Sequence, residues 1–440
     1  MNNNEQIKKF LEEDCECGKS HKISVPKVVV KSDAIQDIPS LLKEYGVKRA
    51  QVIADVNTFE VAGKAVCNIL EKNGYSFNLF VFKEKALEPD EKAVGSAIMN
   101  FDKSCDIVVA IGSGVINDIG KILANVTKLP YIIVGTAPSM DGYASATSSM
   151  SMSGLKVSLP SKCADVIIGD INVLKNAPMK MLQAGLGDML AKYISIAEWR
   201  IANEITGEYY CEKVASLIRS ALKRCVDNAK GLLKREEEAV KAVFEGLIIG
   251  GIAMALAGVS RPASGIEHYF SHVWDMRGLE FRSKVDLHGI QCAVATNIAA
   301  GLYEKVLKII PEREKAKAFV EKFDFNAWAK ELKIFLGKAA NAMIELEEKE
   351  QKYSVEKHEK RLNVIIEKWD KIRDIISEEI PKQKEIQNIL DVIGAPKTVK
   401  EIDIDCDLKT TFMATKDIRD KYVLSRLVWD LGLIEEIFVD

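Results

Sequence analysis

The sequence predicts an α/β domain on a parallel sheet over residues 1–175, followed by an all-helical domain over residues 176–440. Three observations carry this. A chain of 440 residues has room for two or three domains. Short β-rich apolar runs alternate with helical stretches up to about residue 170, the texture of a parallel α/β sheet. Beyond residue 181 Pro and Gly thin out and long helical periodicities dominate.

In chain order, the strand candidates are VPKVVV (25–30), RAQVIAD (49–55), SFNLFVF (76–82), DIVVAIG (106–112), YIIVGT (131–136) and ADVIIGD (164–170). Most end near Gly, Asp or Thr, as buried parallel strands do. Stretches such as IPSLLKEYG and VAGKAVCNILEKNG read as the helices between them. The later segments GDMLAKYISIAEWRIANEI, EKVASLIRSALKRCVDNAKGLLK and EEEAVKAVFEGLIIGGIAMALAG read as long helices. Residues 339–385 read as exposed helices whose charge run is a solvated face.

Composition is that of a globular protein, with 48% hydrophobic and 28% charged residues. A net charge of −3 gives no electrostatic case for a nucleic-acid or membrane partner. Nine scattered cysteines suit reduced thiols better than a disulfide framework. Cys15, Cys17 and His21, in CECGKSH, are three donors for a soft metal or the parts of an exposed turn. The polar N-terminus lacks an apolar core segment, so no signal peptide is expected. The longest apolar run, 247–258, is too short to span a bilayer and reads as a buried helix. The expected location is cytoplasmic.

Four segments carry chemistry. In IGSGVINDIGKILA (111–124) a strand ends at Gly112, and Gly112-Ser113-Gly114 turns into a helix bearing Asp118 and Lys121. Such a turn brings backbone N–H groups and a helix N-terminus to a phosphate. In VGTAPSMDGYASATSSM (134–150), Thr136, Ser139, Asp141, Ser145 and Thr147 offer polar groups after the next strand, where open α/β sheets bind ligands. Asp55 closes RAQVIAD, placed either to accept from a ribose hydroxyl or to cap the following helix. In GLGDMLAKY (185–193), Asp188 is expected just inside the start of a helix, where the dipole or a metal would favour its charge.

Three of the five histidines fall in SGIEHYFSHVWDMRGLEFRSKVDLHGIQ. His268 and His272, four apart, share a helix face. His288 follows from another element. Two imidazoles and a carboxylate make a divalent site with open positions. Core packing is the competing explanation.

In this order the pieces resemble the iron-type alcohol dehydrogenase and dehydroquinate synthase-like superfamily. Its Gly-Gly-Gly-Ser-x-x-Asp-x-x-Lys hallmark is met by Gly112-Ser113-Gly114-Val115-x-x-Asp118-x-x-Lys121, with an altered loop. That variant, TAPSMDGYAS (136–145), SGIEHYFSHVWDM (264–276), the tail KDIRDKYVLSRLVWDLGLIEE (416–436) and CECGKSH look like the glycerol-1-phosphate dehydrogenases, in their bacterial AraM-type branch. The resemblance covers essentially the whole chain. It implies a Rossmann-like N-terminal domain, a helical C-terminal domain and an active site in the cleft between them. It implies reversible NADH-dependent reduction of dihydroxyacetone phosphate to sn-glycerol 1-phosphate, a step of phospholipid metabolism, by a homodimer.

By the same resemblance Asp188, His268 and His288 match metal ligands, for zinc or nickel. Gly114, Val115, Ile116, Asn117 and Asp118 match the pyrophosphate loop. Asp55, Thr136, Ala137, Pro138, Ser139 and Ser145 match further cofactor contacts. Asp141 and His272 match positions near the substrate. NAD is the expected cofactor, with NADP possible. Arg261, Lys192 and Arg419 are all available for the substrate phosphate. The alternatives are a glycerol or other alcohol dehydrogenase of the superfamily, a dehydroquinate synthase-like lyase, or a binding protein with an inactive site.

Overall fold

The computed structural model describes residues 15–21, 25–84, 86–153 and 155–438. The polar stretch 1–14, on which the signal-peptide expectation rests, lies outside them. The strands are β1 (Lys27–Lys31), β2 (Arg49–Asp55), β3 (Ser76–Phe82), β4 (Ile107–Gly112), β5 (Tyr131–Gly135), β6 (Thr147–Met152), β7 (Leu155–Pro160) and β8 (Val166–Asp170). Six form one parallel sheet in the order β1-β8-β5-β4-β2-β3. All six had been expected, within one or two residues at their ends. Every residue of β4, β5 and β8 is buried, which is why their sequences are continuous apolar runs.

β6 and β7 are a correction. They form an antiparallel hairpin that begins inside 134–150, the segment expected to be a polar loop. In TSSMSM the inward positions are Ser148 and Met150, so alternation is present but half-hidden by serine.

The chain divides into two compact units. One holds the residues through Met189 together with Ser216–Val259; the other holds Leu190–Ala215 and Ser260–Asp440. This partition differs from the expected division at 175/176, because 176–189 and 216–259 fold with the sheet. The helix Glu237–Ala257 shows why. Its Phe244 ring lies so close to Gly135 and Gly169 that added Cβ atoms there would stand 2.8 and 2.3 Å from ring carbons. Further along, a Cβ on Gly251 would meet the carbonyl oxygen of Asp141 at 2.9 Å. The helix is therefore glycine-fitted to the sheet and to the turn at 141–144. With 21 residues it is long and apolar enough to cross a membrane, longer than the apolar run alone suggested. Yet 78% of its most apolar window is buried, as in a core helix.

In the second unit the described residues form helices and turns without strands. Lys192–Thr206, Ile266–Phe281 and His288–Val306 pack together, and the last two carry the three clustered histidines. The charged region forms Ala340–Glu350, Val355–Glu367 and Trp369–Glu379, each with a buried apolar face.

Candidate active site

The sheet order determines where the first unit can bind a ligand. From β2 the chain moves outward to β3, and from β4 it moves the opposite way to β5. The carboxyl ends of β2 and β4 thus flank a topological switch point, the usual crevice of open α/β sheets. Asp55 ends β2, and Gly112-Ser113-Gly114 follows β4 into the helix Gly114–Thr127. A Cβ on Gly112 would stand 2.4 Å from that of Ile116, so the tight turn demands glycine. A Cβ on Gly114 would meet Met140 at an ordinary 3.5 Å. Packing alone does not require glycine at 114.

The other residues of this segment divide by burial. Gly114, Val115 and Asp118 are partly exposed, whereas Ile116 and Asn117 are buried. Asn117 Nδ2 donates to the carbonyl of Gly142 at 3.1 Å. Buried Lys121 pairs with Asp118 at 3.0 Å and donates to the carbonyls of Gly142 (3.0 Å) and Thr147 (2.6 Å). These bonds fasten the turn at 141–147 to the helix Gly114–Thr127. Thr136, Ala137, Pro138, Ser139 and Ser145 are all buried beneath that edge. Ser139 and Ser113 share a hydrogen bond at 2.6 Å, and Tyr143 donates to the carbonyl of Ala137 at 2.7 Å. Asp55 caps the next short helix: Oδ1 accepts from the N–H groups of Asn57 (2.7 Å) and Thr58 (2.9 Å).

Asp188 is fully buried, and its Oδ2 accepts from the backbone N–H of Asp141 at 2.9 Å. It stands in the last turn of the helix Met179–Leu190, not the first. The glycines taken as a start signal lie inside the helix. A Cβ on Gly185 would fall 1.9 Å from the carbonyl oxygen of Pro138, so that glycine allows helix and loop to touch. The N-terminal dipole of its own helix therefore does not act on Asp188. Asp141 is partly exposed beside it.

In the second unit the structure brings the three histidines together, as their spacing suggested. The rings of His268 and His288 are 4.9 Å apart, and those of His272 and His288 6.2 Å. His268 Nδ1 lies 2.8 Å from Glu267 Oε1, and His288 Nδ1 lies 2.9 Å from Ser271 Oγ. Oriented metal-binding imidazoles are held this way, one nitrogen to a carboxylate or hydroxyl and the other to the ion. Cys292 Sγ is 3.6 Å from His288 Nε2. One ligand atom each from His268, His288 and Cys292 lie within 4.8 Å of one another. The donor set fits a divalent transition metal. In the sequence Glu267 opens the Glu-His-x-x-x-His motif without an assigned role, and Ser271 and Cys292 are not singled out. Cys292 had a signal, four residues beyond His288 on one helix.

Glu267 and Glu198 form a buried acidic pair beneath the histidines. Glu267 Oε1 also accepts from Gly265 N–H at 2.7 Å, and its Oε2 has no hydrogen-bond partner among the described residues. Glu198 accepts from the N–H groups of Ile266 (2.9 Å) and Leu424 (2.8 Å) and from the Tyr303 hydroxyl (3.1 Å). Burial, and then the charge of Glu267, raises Glu198 from 4.5 to about 8. The folded chain therefore keeps a proton that the unfolded chain releases across that window. The stability this contributes is full below pH 4.5 and falls as pH rises to about 8. Glu198→Gln should flatten the slope of unfolding free energy over this range by up to about 1 kcal/mol per pH unit. Urea denaturation at several pH values reads it, and an unchanged slope would refute this assignment.

The cations named from sequence separate clearly. Arg261 is committed to Glu208 and, at 2.9 Å, to the carbonyl of Tyr422. Lys192 is buried and donates to the carbonyl of Ala263 at 3.2 Å. Arg419 is exposed. Lys421, not singled out earlier, donates to the carbonyl of Ser264 at 3.0 Å, beside the start of the histidine helix. Burial, then the charges of Arg261 and Arg419, lowers its pKa to about 7.

Comparison with known proteins agrees with this architecture. The family model for iron-containing alcohol dehydrogenase matches residues 29–178. The probable glycerol dehydrogenase of Sinorhizobium meliloti superposes with a TM-score of 0.58 at 15% identity, covering 94% of this chain and 98% of that one. A 1,3-propanediol oxidoreductase gives 0.60 at 14% identity, covering 95% and 99%. The fold is thus that of the iron-containing alcohol dehydrogenases. The glycerol-1-phosphate dehydrogenase (NAD(P)+) of Halalkalibacterium halodurans is 32% identical over 300 residues, 67% of this chain and 75% of that protein. The corresponding protein of Thermococcus sibiricus is 34% identical over 297 residues, 67% and 83%. The chain belongs to the glycerol-1-phosphate dehydrogenase family.

Proposed function

We propose that this chain is a cytoplasmic, homodimeric, metal-assisted sn-glycerol-1-phosphate dehydrogenase that reversibly reduces dihydroxyacetone phosphate with NADH. Its relatives' name supports the oxidoreductase class. The observation that carries the reading is the histidine pair, each ring held at Nδ1 by a partner of its own. Asp188, His268 and His288 would hold zinc or nickel. When bound, the ion supplies Lewis acidity at the ketone oxygen and the nicotinamide supplies the hydride.

The chain's own residues do the rest. Glu267 and Ser271 orient the two imidazoles so that geometry is fixed before substrate arrives. Gly114 lets the pyrophosphate approach the N-terminus of Gly114–Thr127, where its backbone N–H groups and dipole meet negative charge. Val115 and Asp118 border that approach; Ile116 and Asn117 hold the helix against the sheet. Ser113, Ser139 and Tyr143 stiffen the loop of Thr136, Ala137 and Pro138, and Lys121 ties Ser145 and its neighbours to the same helix. Asp55 accepts a ribose hydroxyl and disfavours a 2′-phosphate by like charge. His272 and Asp141 bind substrate hydroxyls, with His272 passing a proton to the product oxygen.

Lys421 is our candidate for the substrate phosphate. A partly buried ammonium whose pKa is lowered by burial and two neighbouring guanidinium groups is a position that gains from an anion. Lys421→Met should raise KM for dihydroxyacetone phosphate by about 10- to 100-fold, the worth of a charged hydrogen bond. Turnover of unphosphorylated dihydroxyacetone should not change. Equal losses on both substrates would remove Lys421 from this role.

Steady-state kinetics with four pairings test the function: dihydroxyacetone with and without phosphate, against NADH and NADPH. The reading expects a large preference for the phosphorylated ketone and for NADH. Equal rates on the two ketones would point to a glycerol dehydrogenase instead. A tenfold preference for NADPH would overturn the role of Asp55.

A further inference from the structure

We propose that Cys15, Cys17 and His21 form a second metal site, sharing no residue with the histidine cluster, that takes zinc or another soft divalent ion. It fastens the segment 15–21 to the end of the helix Glu237–Ala257. The motif CECGKSH plays no part in the chemistry described above, yet the fold builds it carefully. The N–H of Gly18 donates to the carbonyl of Cys15 at 3.2 Å, and Gly18 turns the chain with φ +75°. That turn brings both thiols round to His21. The two sulfurs and an imidazole nitrogen lie within 4.8 Å of one another.

His21 is the telling residue. It is buried, with a relative exposure of 6%, although Gly18, Lys19 and Ser20 just before it are exposed. Its Nδ1 lies 2.8 Å from the carbonyl oxygen of Leu256, near the end of the long core helix. A carbonyl can only accept, so Nδ1 carries a proton, and in the neutral ring that a metal requires Nε2 carries the lone pair. Nε2 faces Cys17 Sγ at 3.1 Å. An imidazole held at one nitrogen by a carbonyl, with the other aimed at thiols, is the arrangement that orients histidine toward a metal. Two sulfurs and one imidazole select soft and borderline ions such as zinc, with another side chain or water completing the tetrahedron. Binding converts both thiols to thiolates and releases their two protons to solvent, so occupancy rises with pH. The consequence is structural. The ion would tie the start of the described chain to the helix that lies under the turn at 141–144.

The test uses the full chain. Wild-type protein and the Cys15→Ser/Cys17→Ser variant are saturated with zinc, desalted and analysed for metal per chain. The variant should carry one ion fewer. With cobalt in place of zinc, the thiolate-to-metal charge-transfer band should persist in Cys292→Ser, which alters the histidine cluster, and vanish when Cys15→Ser and Cys17→Ser are added to that variant. A measurement on the unaltered chain guards against misfolded variants. Zinc should slow alkylation of Cys15 and Cys17 together, read by peptide mass spectrometry, and a chelator should restore it. Equal metal content in wild type and double variant, or alkylation of both thiols at the same rate with and without zinc, would overturn the proposal.

Discussion

Asp188→Asn should lower kcat for dihydroxyacetone phosphate by about a thousand-fold or more, equivalent to roughly 4 kcal/mol of lost transition-state stabilisation. It should also lower the metal content, while NADH still binds. Asparagine keeps the shape and an oxygen to accept the N–H of Asp141, the bond that Asp188 makes at 2.9 Å. What it removes is the charge. Asp188 is fully buried, in the last turn of its own helix. On the proposed function, that charge is what Asp188 would bring to the ion. Kinetics, metal analysis and a fluorescence titration with NADH separate the three quantities. Full metal content with near-normal turnover in the variant would remove Asp188 from the ligand set.

Two glycines should both lose NADH affinity on replacement by alanine, but only one should lose much stability. Gly185→Ala should destabilise the fold by about 3 kcal/mol, at the upper end of what overpacking costs. Its Cβ would fall 1.9 Å from the carbonyl oxygen of Pro138 and 2.9 Å from Val243. The backbone oxygen cannot move without shifting the loop at 136–139, so NADH affinity should fall with stability. Gly114→Ala should leave stability within about 1 kcal/mol of wild type, since its Cβ meets Met140 at 3.5 Å and its φ is not positive. It should nevertheless weaken NADH binding, because the methyl group occupies the approach to the helix N-terminus. Thermal denaturation and NADH titration on both variants check this. Unchanged NADH affinity in Gly114→Ala would place the pyrophosphate elsewhere.

The parallel strands were legible because burial on both faces writes them as unbroken apolar runs, as in IVVAIG and YIIVG. The hairpin at 147–160 was not, because serine fills positions that hydrophobic residues usually mark. Gly185 misled for a related reason. Glycine beside a helical pattern signals a terminus, but here it serves a contact with Pro138 that only the tertiary fold creates. The helix Glu237–Ala257 looked like part of the helical domain, since nothing local says which unit will cover an apolar helix. In the candidate site, His268 and His272 were visible through helical spacing. The residues that support them were not. Ser271 meets His288 across 17 positions, and Lys421 meets Ser264 across 157.

The central claim is that this chain moves a hydride onto a phosphorylated three-carbon ketone with the help of a divalent ion. The most direct measurement is NADH oxidation with dihydroxyacetone phosphate on metal-stripped protein, repeated after nickel or zinc is added, with the product tested against an sn-glycerol-3-phosphate-specific dehydrogenase. The account predicts negligible oxidation without metal, recovery on adding one of the two ions, and a product that the sn-3-specific enzyme does not consume. Undiminished oxidation in the stripped protein, or a product that enzyme consumes completely, would contradict it.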